Sequence, residues 1–220
     1  MPLPNHTISN VFVLAGLSGS GKTAVIDHLI DTGHQALNIE SLCRHDGSVF
    51  ASLQYTSQPS AYQFHKQLNK VWNSFDFNKP VFIERELSKL GRIHLPGWLN
   101  HQMNTAPVIW LNTSYHLRVK RIATFIQNTS PTHFYNCLTK LEKKLSHPNF
   151  ELAVQYLQQG NTEKLAAALL EYYDRVPGYS YPESRILCEV NIMDTDIEAA
   201  AKRILVAAAS LKDNKAVLEQ

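Results

Sequence analysis

Cysteine is scarce in this chain: three residues in 220, Cys43, Cys137 and Cys188, odd in number and far apart. That argues against a disulfide framework and fits a reduced compartment, with small-hydrophobe packing as the expected role of each thiol. No apolar run is long enough to span a bilayer, and Met1–Asn10 has neither the basic start nor the apolar centre of a signal peptide. The expected location is therefore cytoplasmic, with no membrane partner. Charge of one sign is lacking too. Twenty-one Lys and Arg against nineteen Asp and Glu leave +2, so nucleic-acid binding would need a local patch rather than bulk attraction. The ten histidines are scattered, without HExxH or other metal-ligand spacing. There is no internal repeat and no low-complexity tract.

What is present is ordinary globular material. Apolar residues make up 44% and charged residues 18%, enough for one sizeable core and too apolar for extended disorder. Four continuous apolar runs, at 11–15, 36–39, 81–83 and 108–111, read as strands buried on both faces of a parallel sheet. A fifth, more polar candidate covers 185–190. Helical patterns separate them: a stripe of Val25, Ile26, Leu29 and Ile30, an interrupted segment from Leu90 to Met103, Leu117–Ile126, and helix from about 132 to 173. Thr195 and Glu198 stand at capping-box spacing ahead of a final helix over 197–211, and the polar tail 212–220 is expected to fray. Alternating strands and helices predict a single α/β domain over 1–220, a three-layer sandwich around a mostly parallel five-stranded sheet. The helical segment 113–175 would serve as lid or substrate segment.

Directly after the first strand comes Gly16-Leu17-Ser18-Gly19-Ser20-Gly21-Lys22-Thr23, a full match to G-x-x-x-x-G-K-[ST], and an amphipathic helix follows. Glycines allow a tight turn that aims backbone N–H groups at phosphate oxygens, and the helix adds the positive end of its dipole. Gly16, Ser18, Gly19, Ser20, Gly21, Lys22 and Thr23 are thus the candidate phosphate binders. Lys22 would neutralise the terminal phosphates and the Thr23 hydroxyl would ligate Mg²⁺. ATP, or another nucleotide or diphosphate, is the expected phosphorylated ligand.

The third strand runs into Glu84-Arg85-Glu86, where a Walker-B carboxylate belongs; Glu84 is the candidate for the metal or for orienting a water. Glu40, expected at the end of the second strand, competes with it, since ligands bind beyond the carboxyl ends of strands. The guanine-reading Asn/Thr-Lys-x-Asp motif is missing, which disfavours a GTPase switch. Arg118 and Arg121, three apart on a helix, are either phosphate clamps or a solvated face.

Beyond the loop, the residues resemble a known family. Residues 39–50, Ile-Glu-Ser-Leu-Cys-Arg-His-Asp-Gly-Ser-Val-Phe, are similar to the DLEGLANHRGSSFG stretch of tRNA 2-selenouridine synthases. Gln58-Pro59-Ser60 with Phe64, the run 83–91 with Leu95-Pro96, Asn104–Val108 and Leu170–Asp174 resemble further motifs of that family, in order and at similar spacing. Together they span roughly residues 12 to 175. The resemblance implies a transferase that acts on 2-thiouridine at the tRNA wobble position, with geranyl diphosphate or selenophosphate as phosphorylated donor. It makes tRNA an expected partner and gives His45 a place at the substrate, with a solvated loop histidine as the alternative. Arg85, Lys89 and Arg92 are candidate tRNA-backbone contacts.

The chain also departs from the pattern. Asp46 stands where the family has Arg, Leu87 and Ser88 where it has Ser-Arg, and His65 where it has Glu. The family's N-terminal rhodanese domain, with its catalytic cysteine, has no counterpart in these 220 residues. A separate rhodanese-domain partner is one expectation. A MgATP-dependent small-molecule kinase and a non-catalytic nucleotide-binding module are the alternatives.

Overall fold

The computed structural model describes residues 10–175, 185–193 and 197–218, with side chains up to residue 210. Its centre is a sheet of β1 (Val11–Ala15), β2 (Gln35–Leu37), β3 (Val81–Glu84), β6 (Val108–Thr113) and β7 (Ile186–Ile192), in the order β2-β3-β1-β6-β7. Every pairing is parallel; Val13, for example, lies opposite both Ile83 and Val108. All five residues of β1 and all four of β3 are buried, as strands covered on both faces require.

One face carries α1 (Lys22–Asp31) and α9 (Ile197–Leu218); Val25, Ile26 and Leu29 meet Phe12, Leu14, Ile204 and Ala208 there. The expected stripe loses one member, because Ile30 points outward, 42% exposed. The other face carries α2 (Ile39–Cys43), α3 (Ala61–Trp72) and α4 (Gly97–Thr105), with Phe64, Leu68, Trp72, Leu99 and Met103 against Val11, Val13 and Ile83. Trp72 is buried and Trp98 packs on it, ring centroids 4.7 Å apart. Helices α5 (Tyr115–Gln127), α6 (Pro131–Leu138), α7 (His147–Gln158) and α8 (Thr162–Tyr173) enclose a separate apolar cluster around Phe134, Leu138, Leu141 and Leu165.

Several boundaries differ from the sequence reading. Strand β2 stops at Leu37, because the Asn38 side chain accepts the Ser41 N–H and caps α2. Glu40 therefore sits in the first turn of a helix, not at a strand end. The segment read as an interrupted helix opens with an antiparallel hairpin of β4 (Lys89–Leu90) and β5 (Ile93–His94), turning at Gly91 with φ +57°. Only α4 is helical there. Helix α3, capped by a Ser60–Gln63 box, was not read at all. Strand β7 is longer than expected, and α9 continues to Leu218 through most of the tail expected to fray. The capping position at Thr195 lies outside the described residues.

Candidate active site

The loop between β1 and α1 turns on glycines with positive φ, Gly19 at +74° and Gly21 at +94°; Gly21 is the N-cap of α1. Its carbonyl oxygens are held by side chains from β6 and α5. Arg118 donates to Ser18 O at 3.2 Å, and Arg121 to Gly19 O at 3.1 Å and Ser20 O at 2.9 Å. Thr113 adds a bond to Ser20 O at 2.9 Å. Arg118 thus braces the loop from its buried side, and Arg121 braces it from a position that also lines the cavity over the loop. Lys22 Nζ reaches back to Gly16 O at 3.1 Å.

Three carboxylates converge beside Lys22 and Thr23. Oxygens of Glu40, Glu84 and Glu86 all lie within 4.8 Å of one another. Glu84 Oε1 accepts the Glu40 N–H at 3.1 Å, while its buried Oε2 has no hydrogen-bond partner. Thr23 Oγ1 donates to Glu40 Oε2 at 3.1 Å. Burial, and then the charge of Glu40, push the Glu84 carboxyl up to about 8. Burial with the charges of Glu84 and Glu40 holds Glu86 well above the usual carboxylate range, and burial also raises Glu40 against the pull of Lys22. Three packed carboxylates cannot all ionise without a counter-cation. The orphaned Glu84 oxygen and the all-oxygen donor set fit a hard divalent cation such as Mg²⁺, with the Thr23 hydroxyl at hand.

A cavity of about 310 Å³ opens over the loop. It is lined by Ser18, Gly19, Gly21, Lys22, Thr23 and Arg121, with Glu40 and Glu86. Asp46, Ser48 and Gln54 line it too, with the apolar side chains Phe50, Ile122, Phe125, Phe134 and Leu169 and with Tyr173; Ile122 lies against Gly19. Phe50 and Phe134 stack there, centroids 4.6 Å apart. The cavity thus combines the polar groups of the loop with a mostly apolar, aromatic lining.

Some expected site residues lie elsewhere. Arg118 is buried, does not line this cavity, and makes a two-bond ion pair with Asp174 at 2.8 Å each. Arg121 is the member of the pair at the cavity. His45 lines a neighbouring groove; its Nδ1 accepts the Gly47 N–H at 2.9 Å, and burial lowers its pKa, so the ring is neutral near pH 7. Asp46 lines the cavity and holds Ser48 through its N–H and hydroxyl. Sequence reasoning passed over Glu86. The signal was its place two residues beyond Glu84, which after a buried strand returns a side chain to the same side. The cysteines take the packing role expected: Cys43 and Cys137 are buried, and burial pushes the Cys43 thiol up to about 12.

An all-parallel five-stranded sheet with a glycine-rich loop and lysine between its central strand and the next helix defines a P-loop α/β protein. A match to the tRNA 2-selenouridine synthase AAA domain covers residues 9–203, and the chain belongs to that family. It is 34% identical over 115 residues to tRNA 2-selenouridine synthase of Nitrosomonas europaea, covering 51% of this chain and 29% of that protein. The corresponding protein of Sulfurovum sp. is 26% identical over 229 residues, covering 86% of this chain and 59% of the relative. The chain thus spans well under two thirds of these curated relatives. Among solved structures it aligns with dephospho-CoA kinase from Campylobacter jejuni at 12% identity and TM-score 0.39, over 92% of this chain and 98% of that one. No helix among the described residues is long and apolar enough to cross a membrane.

Proposed function

We propose that this chain is the donor-binding unit of a tRNA-modifying transferase, and that the donor is an allylic diphosphate of the geranyl type. One observation carries the choice: the cavity lined by Lys22, Arg121 and the glycine-rich loop is also lined by Phe50, Phe125, Phe134 and Leu169. A diphosphate would lie against the loop N–H groups, Lys22 and Arg121, and a short hydrocarbon chain along the aromatic wall. Lys22 and the loop would neutralise charge as the carbon–oxygen bond to diphosphate lengthens, which is where catalysis gains most. Mg²⁺ held by Thr23 with Glu84 or Glu40 would supply further neutralisation of the leaving group. Helices α5 to α8 act as the lid that keeps water from the allylic carbon. The acceptor is the sulfur of a 2-thiouridine in tRNA.

Delivery of selenium or sulfur by a reactive thiol would fall to a thiol outside these residues, such as that of a rhodanese domain. Cys43, beside the carboxylates, is buried with its thiol unionised. The test is thermal shift with inorganic diphosphate, geranyl diphosphate, selenophosphate and MgATP at equal concentration. Geranyl diphosphate should raise Tm more than diphosphate does, and filling the wall with Leu169→Trp should remove the excess while leaving the diphosphate shift. A larger shift with MgATP that survives Leu169→Trp would select the small-molecule kinase. Binding of MgATP without turnover of any acceptor would select the nucleotide-binding module.

A further inference from the structure

Next to the P-loop cavity lies an open groove of about 610 Å³, formed by the loop around 44–58 and the β4–β5 hairpin. Arg44, Lys89 and Lys140 line it with the neutral His45, and no aspartate or glutamate is among its described lining residues. A second groove, of about 420 Å³, continues it through the shared residues Ser52 and Lys140 and is likewise free of lining acids. For a chain with 21 cations and 19 anions, three cations lining one groove with no acid among the described lining residues are a local concentration of charge.

The groove is also preorganised. Gln58 donates to Leu90 O at 3.1 Å and, at 3.3 Å, to Cys43 O; its Oε1 accepts the Arg92 N–H at 2.9 Å. Both walls are thereby stapled together. Arg44 occupies the left-handed region at φ 49°, ψ 51°, exposed at the end of α2. A non-glycine residue is costly there. The nearby acid, Asp46, lines the P-loop cavity instead and fixes Ser48, which borders both spaces.

We propose that this groove binds the sugar–phosphate backbone of the acceptor RNA, through Arg44, Lys89 and Lys140, so that the strand passes Ser48 and delivers one base to the mouth of the P-loop cavity. The assignment rests on the tRNA reading above and adds the surface and the residues. It also revises the patch expected from sequence. Lys89 lines the groove and Arg92 borders it, bonded to Gln58 O at 2.6 Å, while Arg85 donates to Asn104 at 3.0 Å.

The experiment is fluorescence anisotropy with a labelled RNA stem–loop carrying 2-thiouridine, over a salt series. Arg44→Glu, Lys140→Glu and their combination are compared with Lys202→Glu, on the helix covering the opposite face of the sheet. Each groove reversal should weaken binding, the double variant by roughly tenfold at low salt, and should make the log–log salt slope shallower by about one. Lys202→Glu should match wild type, and all variants should keep the thermal shift with inorganic diphosphate. Wild-type binding that the groove variants leave unchanged overturns the groove and leaves the tRNA reading standing. No binding by wild type at low salt overturns both. Loss of the diphosphate shift together with RNA binding would place the effect at the P-loop and overturn a separate groove. Equal affinity for polyglutamate would make the partner an acidic protein and overturn the RNA assignment.

Discussion

Replacing Glu84 by Gln tests the reading of the carboxylate cluster most directly. The native Glu84 carboxyl titrates near 8 instead of 4.5, first because it is fully buried and then because Glu40 is beside it. Between those values the unfolded chain has released a proton that the native protein keeps. Stability of the metal-free protein must therefore fall as pH rises through this window. One pKa unit corresponds to about 1.4 kcal/mol, so integrating the single site from about pH 5 to about pH 7.5 gives a loss of roughly 3 kcal/mol. In Glu84→Gln the amide can donate to the neighbouring carboxylates from the position of the orphaned Oε2, so the fold has no new buried void. Urea unfolding across this pH range should show wild type losing stability more steeply than the variant, in which buried Glu86 and Glu40 still titrate with the same sign. Adding Mg²⁺ should reverse the wild-type trend, because the cation favours the ionised cluster and its stabilisation grows as protons leave. Parallel profiles for wild type and variant without metal would refute the claim that Glu84 holds a proton at neutral pH.

Three further outcomes are expected. Lys22→Ala should lose nearly all of the thermal shift with inorganic diphosphate, since the loop then faces the anion without its cation; an unchanged shift would place the ligand elsewhere. Arg118→Ala should cost about 2–4 kcal/mol in urea unfolding, somewhat below the range for fully buried pairs because the Asp174 side chain is 25% exposed. Arg118→Lys should recover less than half, since it cannot make both bonds. Gly91→Ala should cost about 1–3 kcal/mol from the positive φ alone, with more from crowding against Gln58 and His45. By opening the stapled groove it should weaken RNA binding while sparing the diphosphate shift.

The parallel sheet was legible because its strands are uninterrupted apolar runs, and the phosphate loop because its glycines and lysine stand at fixed spacing. Helix α3 was harder to read, since its buried residues Phe64, Leu68 and Trp72 are three among twelve in an otherwise polar segment. The hairpin at 89–94 has strands of two residues each, too short for any periodicity to register. Glu40 was misplaced because the cap that ends β2 is a single asparagine, whose role depends on the turn it makes.

The sequence by itself determined the fold class, the glycine-rich loop and the family, since those depend on local pattern and on order along the chain. Only the tertiary structure decided which charges act together. It gathered Glu40, Glu84 and Glu86 from two segments more than forty residues apart. It turned Arg118 to the back of the loop and Arg121 to the cavity, and it separated an acid-free groove from a nearly neutral surface. Electrostatic roles depend on distance and burial, and neither is written in the spacing of residues along a chain.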